Sequence, residues 1–139
     1  MKISTKGRYA LRLMLDLAQS DPEKFVALKE VAERQEISIK YLEQIITLLC
    51  KVGYIKSLRG SQGGYKLAKA PIAYTVGDIL RVTEGDLAPV SCLQDEVNHC
   101  SRFDQCRTIG FWSGLYDKIT EYVDGTTLED LAGKEVDLN

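Results

Sequence analysis

The sequence has no long hydrophobic run. Its opening, MKISTKGRYALRLMLDLAQ, places arginines and an aspartate among the apolar residues, which leaves neither a signal-peptide core nor a membrane span. A cytoplasmic protein without a membrane partner is expected. There is no low-complexity tract and no internal repeat. Histidine is limited to His99, and no orienting group or oxyanion motif can be placed beside it. Cys100 with His99 as nucleophile and base fails because adjacent side chains diverge, so an enzyme is not expected. Closely spaced cysteine pairs are missing too: neither the C-x2-4-C knuckles of structural zinc nor the C-x2-C runs of ferredoxins occur.

What is present suits one domain, or a small head with an extension. A chain of 139 residues can bury about two thirds of its unfolded surface. Apolar residues make up 45% and charged residues 27%, which argues against wholesale disorder. The net charge of -2 conceals a division: residues 1–75 carry 13 basic and 7 acidic side chains, whereas residues 76–139 carry 5 and 13. A basic half joined to an acidic half suggests that the first meets a polyanion. Two solvated faces of one domain would give the same count.

Ser4 and Thr5 can cap a helix over about 5–20, in which Ala10, Leu13, Met14 and Leu17 share a face. LKEVAERQ predicts a short second helix with Leu28, Val31 and Ala32 inward. Ser38 can cap a third, running to about Val52 with Leu42, Ile45, Leu48 and Leu49 inward, and Gly53 supplies its stop. GYIKSLRGSQGGYKLA then alternates strand-like ends around a glycine-bearing basic tip, the pattern of a β-hairpin. Two short helices followed at once by a hairpin give the order of a winged helix-turn-helix. The expected fold is mainly α with a small β-hairpin wing and a long dimerisation helix.

The expected division is a DNA-binding head over 1–75, a linker helix over 76–90, a cysteine loop over 91–106, and a dimerisation helix with a C-terminal helix over 107–139. In the linker, Val76, Ile79, Leu80 and Val82 pack back on the head. Between 107 and 123, Ile109, Trp112, Leu115, Tyr116, Ile119, Tyr122 and Val123 form a stripe too wide and aromatic for a lone exposed helix. A homodimer is expected to bury it, because DNA-binding heads of this size commonly pair to read two half-sites. Packing within one chain is the alternative. Thr126 or Thr127 can cap a last helix, TLEDLA.

A recognition helix presents its N-terminal side chains to base edges, which selects Ser38, Lys40, Tyr41, Glu43 and Gln44. Gln44 can bond adenine bidentately and Glu43 can accept from cytosine, while Ser38, Lys40 and Tyr41 suit phosphate or mixed contacts. Tyr41 is also the one best suited to a core. In the wing, Arg59, Gly60, Ser61 and Gln62 form a tip shaped for the minor groove. Lys6 and Arg8 at the start of the first helix suit phosphate, beside a Tyr9 that can serve packing alone.

Four cysteines remain. Cys50 lies in the apolar run YLEQIITLLCKV, where a small buried thiol is the plain reading. Cys92, Cys100 and Cys106 follow C-x7-C-x5-C within a polar stretch without periodicity. A reducing compartment sets aside disulfides, and soft sulfur donors select an iron-sulfur cluster, zinc or copper(I). A fourth ligand is missing, since His99 adjoins Cys100 and neighbours rarely bind one ion together.

The segments MKISTKGRYAL, ISIKYLEQI, GYIKSLRGSQGGYKL, TVGDILRVTEG and TTLEDL, with the loop cysteines, resemble the Rrf2 family of bacterial transcription regulators across nearly the whole chain. The resemblance implies a homodimer binding palindromic double-stranded promoter DNA. It also implies an iron-sulfur cluster on Cys92, Cys100 and Cys106, the 2Fe-2S form favoured over 4Fe-4S. IscR-like members take a fourth ligand from a histidine three residues after the third cysteine, where this chain has Ile109. NsrR-like members can take it from an acidic residue of the first helix, where this chain has Arg8. CymR-like members lack the cysteine set and respond to a partner protein. IscR-like control of cluster biogenesis is therefore expected, with a nitric-oxide or redox sensor, or a zinc- or thiol-responsive regulator without a cluster, as alternatives.

Ligation would order a loop lying between the head and the dimer helix, and so could set the spacing of two heads. A useful switch of this kind needs a coupling of about 1 to 3 kcal/mol.

Overall fold

The computed structural model describes residues 2–95 and 100–133. Helix α1 (Thr5–Ala18) starts where Ser4 Oγ accepts the Gly7 N–H at 3.0 Å. The Glu84 carboxylate in turn accepts from Ser4 N–H at 2.6 Å and from its hydroxyl at 3.0 Å. A side chain on Gly7 would run into that carboxylate. Helix α2 (Leu28–Gln35) ends with Glu36 in the left-handed region, and α3 (Ile39–Lys51) follows after a turn of three residues. Strands β1 (Ile55–Leu58) and β2 (Gly64–Leu67) pair antiparallel, Ile55 opposite Leu67 and Leu58 opposite Gly64. Val26 bridges Tyr65 through two 2.8 Å hydrogen bonds, tying the hairpin to the lead-in of α2.

The apolar faces meet in one core. It takes Ala10, Leu13, Met14 and Leu17 from α1, Val31 from α2, and Leu42, Ile45, Ile46 and Leu49 from α3. In α3 the buried set is thus 42, 45, 46 and 49, and Leu48 is half-buried. That shift from the expected face follows from the i, i+3, i+4, i+7 stripe meeting α1. Helix α1 also stops at Ala18, two residues short of the expectation. Cys50 is half-buried against the core, and partial desolvation pushes its thiol up.

Tyr74 ties the end of the head to the base of the hairpin. Its ring is buried, its hydroxyl donates to the Tyr54 carbonyl at 2.8 Å, and the same oxygen accepts the Lys69 N–H at 3.0 Å. Tyr74→Phe leaves both partners unsatisfied under a buried ring. Stability should fall by about 1 to 3 kcal/mol, read as a lower urea midpoint at unchanged slope.

Helix α4 (Val76–Glu84) begins in a capping box: Thr75 Oγ1 accepts from Asp78 N–H at 2.9 Å and Asp78 accepts from Thr75 N–H at 3.0 Å. Its Ile79 and Leu80 are buried, and it lies along α1. After the cysteine loop, α5 (Ile109–Gly125) touches α4, and α6 (Leu128–Gly133) returns to α1 with Leu128 in the core. Thr127 caps α6, exchanging hydrogen bonds with Asp130 at 2.9 and 3.0 Å. Among the described residues, no helix is long and apolar enough to cross a membrane.

Helix α5 has no buried residue. Ile109, Trp112, Leu115, Tyr116, Ile119 and Val123 are half-buried, while Phe111 and Tyr122 stand 66% and 76% exposed. A single chain therefore covers the stripe only in part, and Tyr122 is left exposed. The helix is held by Asp124, which accepts from both terminal nitrogens of Arg81 at 2.7 and 2.9 Å and lies over Gly77, where a Cβ would collide with it.

Arg81 holds the Asp124 carboxyl below the usual carboxylate range. A depressed carboxylate stabilises above its unfolded pKa of about 3.9 and loses that contribution as pH falls through the folded value. Both partners are about a third exposed, which keeps the effect small. Asp124→Asn should lower stability at neutral pH and flatten the acid limb below about pH 4, as followed by denaturation at stepped pH.

Candidate nucleic-acid interface and cysteine loop

The start of α3 is fixed by Ser38, whose Oγ accepts the Tyr41 N–H at 3.3 Å. Lys40, Glu43 and Gln44 are exposed on the outer face. Tyr41 is half-buried, edge-on to Tyr9 at 5.5 Å between centroids. This contact brings the first turns of α1 and α3 together and gives Tyr41 a packing role. Around it, Arg8 is exposed with Nη2 donating to Thr5 Oγ1 at 3.0 Å, and Lys6 is half-buried. Arg12 lies 5.2 Å from the Tyr9 ring centre and donates to Gln35, so that cation is committed within the head.

The wing tip turns through Gly60, whose φ of 111° favours glycine, and Gly63 N–H closes on the Gly60 carbonyl at 3.0 Å. Arg59, Ser61 and Gln62 are exposed there. A Cβ on Gly63 would strike the Leu58 carbonyl, and one on Gly64 the Val26 carbonyl. These two glycines let three backbone segments approach closely. The tip is thus carried on a short, tightly tied hairpin.

In the loop, Cys92 sits in a 3-10 turn (Ser91–Leu93) and is half-buried. Cys100 is exposed, and Cys106 is half-buried, following a second turn (Phe103–Gln105) and preceding α5. None of the four cysteines is in a disulfide. The Cys106 thiol is held below its ordinary range, chiefly by the Thr108 hydroxyl at 3.4 Å and then by the Thr108 and Ile109 N–H groups and the charge of Arg102. By donor type the three sulfurs suit a soft metal centre. By placement, no three His, Cys, Asp or Glu side chains among the described residues are grouped to hold one ion. Ile109 opens α5 and Arg8 lies exposed on α1, so neither position supplies a ligand. His99 lies outside the described residues.

A head of three helices and a tied hairpin with a basic tip, followed by a helix with a partly covered apolar face, defines a winged helix-turn-helix regulator. The chain belongs to the Rrf2 family: the family profile, described as iron-dependent transcriptional regulator, matches residues 3–134. CymR of Bacillus subtilis is 44% identical over 95% of this chain and 90% of its own. The solved structure of CymR, described as the global cysteine regulator of that organism, superposes with a TM-score of 0.80 at 43% identity, covering 98% of this chain and 99% of that one. The solved IscR of T. potens gives 0.77 at 41% identity, covering 99% and 94%. The relatives are transcription regulators, not enzymes. CymR, set apart at first by its want of the cysteine set, is thus at least as similar to this chain as IscR.

Sequence reasoning singled out the tip and the recognition helix but passed over Lys24, Lys56, Lys66 and Lys69, which the fold gathers around one groove at the hairpin base. Lys56 and Lys66 face each other across the strands. The alternation of KSL and YKL carried that signal only once the register was known.

Proposed function

We propose that the chain acts in the cytoplasm as a homodimeric regulator of transcription that reads a palindromic promoter site and senses through its cysteine loop. Lys40, Glu43 and Gln44 face the major groove with Ser38 and Tyr41 setting the helix start, Lys6 and Arg8 meet phosphate, and Arg59 to Gln62 enter the minor groove. The DNA-reading head spans 1–75, the linker 76–90, the loop 91–106 and the dimer segment 107–139, with α6 docked back on the head. The observation that carries this reading is the position of the loop, which joins α4, packed along α1, to the partly covered apolar face of α5.

Cys92, Cys100 and Cys106 would hold an iron-sulfur cluster, 2Fe-2S in preference to 4Fe-4S. Bound there, the cluster would supply reactivity towards oxygen, nitric oxide and iron shortage. The chain's own part is mechanical: gathering three sulfurs draws the turns at 91–93 and 103–105 together and re-aims the start of α5. The ungrouped sulfurs and the 44% identity to CymR favour a second reading, in which the thiols themselves respond and no cluster is held.

Protein purified without oxygen decides between them. Iron and acid-labile sulfide that disappear in Cys92→Ala support the cluster, and a colourless, iron-free wild type supports the thiol reading. For the wing, Arg59→Ala should weaken specific DNA binding by about 1 to 3 kcal/mol. Undiminished affinity would remove Arg59 from the interface.

A further inference from the structure

A groove of about 480 Å³ lies between the end of α1 and the base of the hairpin, and Lys24, Lys56, Lys66 and Lys69 line it. The single acid in its lining is Asp21, whose carboxylate already accepts the Glu23 N–H at 2.9 Å. None of the four ammonium groups forms a salt bridge among the described residues. Lys56 and Lys66 are directly opposed in the register, an arrangement of like charge that destabilises a hairpin by some tenths of a kcal/mol. Lys66 is half-buried with its Nζ 4.7 Å from the centre of the Phe25 ring, a contact that leaves its charge without a counter-ion. Four cations without a salt bridge among the described residues, gathered around one concavity at a cost to the hairpin, match an anion.

We propose that this groove binds phosphate groups, delivered either by the DNA backbone flanking the operator or by a soluble phosphate-bearing anion. Lysines without an arginine fork suit phosphates met as point charges rather than one ligand held bidentately. Strand rise of about 3.4 Å per residue puts Lys56 roughly 10 Å up β1 from Arg59. The DNA source rests on the reading under Proposed function.

The test uses the full chain and the double variants Lys56→Gln/Lys66→Gln and Lys24→Gln/Lys69→Gln. A duplex selected by the wild type from a random-sequence library is prepared with about ten flanking base pairs on each side, one helical turn, and also trimmed to its protected core. If DNA is the source, each double variant, which removes four cations from the homodimer, lowers the slope of log affinity against log salt by about 4 on the flanked duplex and leaves the trimmed one unchanged. If the anion is soluble, inorganic pyrophosphate shifts the Lys56 and Lys66 backbone amide signals of the wild type but not of the first variant. Unchanged slopes together with unmoved signals overturn the site. A wild type that selects no duplex defeats the DNA reading by itself, and the pyrophosphate arm alone then decides the groove.

Discussion

Gly64→Ala should lower stability by about 3 kcal/mol and weaken DNA binding at least tenfold. The added Cβ would meet the Val26 carbonyl, and the carbonyl carbon and the Ala27 nitrogen lie close behind it. None of these atoms is the tip of a flexible side chain. To make room, the hairpin must separate from the 26–27 segment and lose the two Val26–Tyr65 hydrogen bonds of 2.8 Å. Overpacking of this kind costs about 1 to 3 kcal/mol, and each lost bond adds about 1. The wing would then no longer present Arg59 at a fixed height above α3. Gly60→Ala is the contrast, because nothing lies within 4 Å of its added Cβ and only the φ of 111° opposes it, at about 1 kcal/mol. Denaturation and DNA titration of both variants measure the difference; equal losses would show that conformation, not backbone contact, sets the demand for glycine.

The second large effect is Asp16→Ala. Asp16 is 6% exposed in the middle of the head. Its carboxylate accepts from Arg34 Nε at 3.1 Å, Arg34 Nη2 at 2.7 Å and Gln35 Nε2 at 2.9 Å. The three bonds clamp α2 to α1 and so set the angle at which α3 leaves the turn. Removing one partner of a buried pair costs about 3 to 5 kcal/mol. The Arg34 side chain is 47% exposed and recovers some water, which puts the expected loss near the lower end, about 3 kcal/mol. For a chain of this size that corresponds to a melting point roughly 10 °C lower. A double-mutant cycle with Arg34→Ala isolates the pair: a coupling below about 0.5 kcal/mol would mean that the clamp acts through Gln35 instead.

Neither residue stood out in the sequence, and the reasons differ. Gly64 lies in a run where three of four residues are turn formers, and only the pairing of Val26 with Tyr65 separates a backbone contact from ordinary turn chemistry. Asp16 falls on the apolar face of α1, between Leu13 and Leu17, and could be taken for a polar interruption until Arg34 is seen above it. Signals carried by adjacent residues are legible in the sequence. Ser38 and Gly53 each mark a helix boundary through a side chain or a φ that neighbouring residues require. Helical spacing gives a face but not the direction from which a neighbour arrives, so the sequence puts Leu48 inward where the fold buries Ile46.

The candidate site divides in the same way. Lys40, Glu43 and Gln44 follow from their place at the head of a capped helix, and Arg59 from its place at a glycine-bearing tip. By sequence Tyr41 suits either DNA or the core; its edge contact with Tyr9 makes it a packing residue whatever else it touches. The cysteines could be counted and spaced, yet their grouping depends on how the loop folds, and spacing along the chain does not constrain distance across a loop.

Sequence alone determined the order of the helices and the hairpin, the charge division, the wing tip and the family, because each depends on residues a few positions apart or on a pattern spread along the chain. Tertiary structure alone decided which cations are committed among the described residues, that α6 returns to the head, and that α5 keeps its apolar stripe partly covered in a single chain. Those facts depend on contacts between residues tens of positions apart. Arg81 and Asp124 meet only because α5 crosses α4, and Lys56 and Lys66 oppose each other only because the hairpin closes in one register.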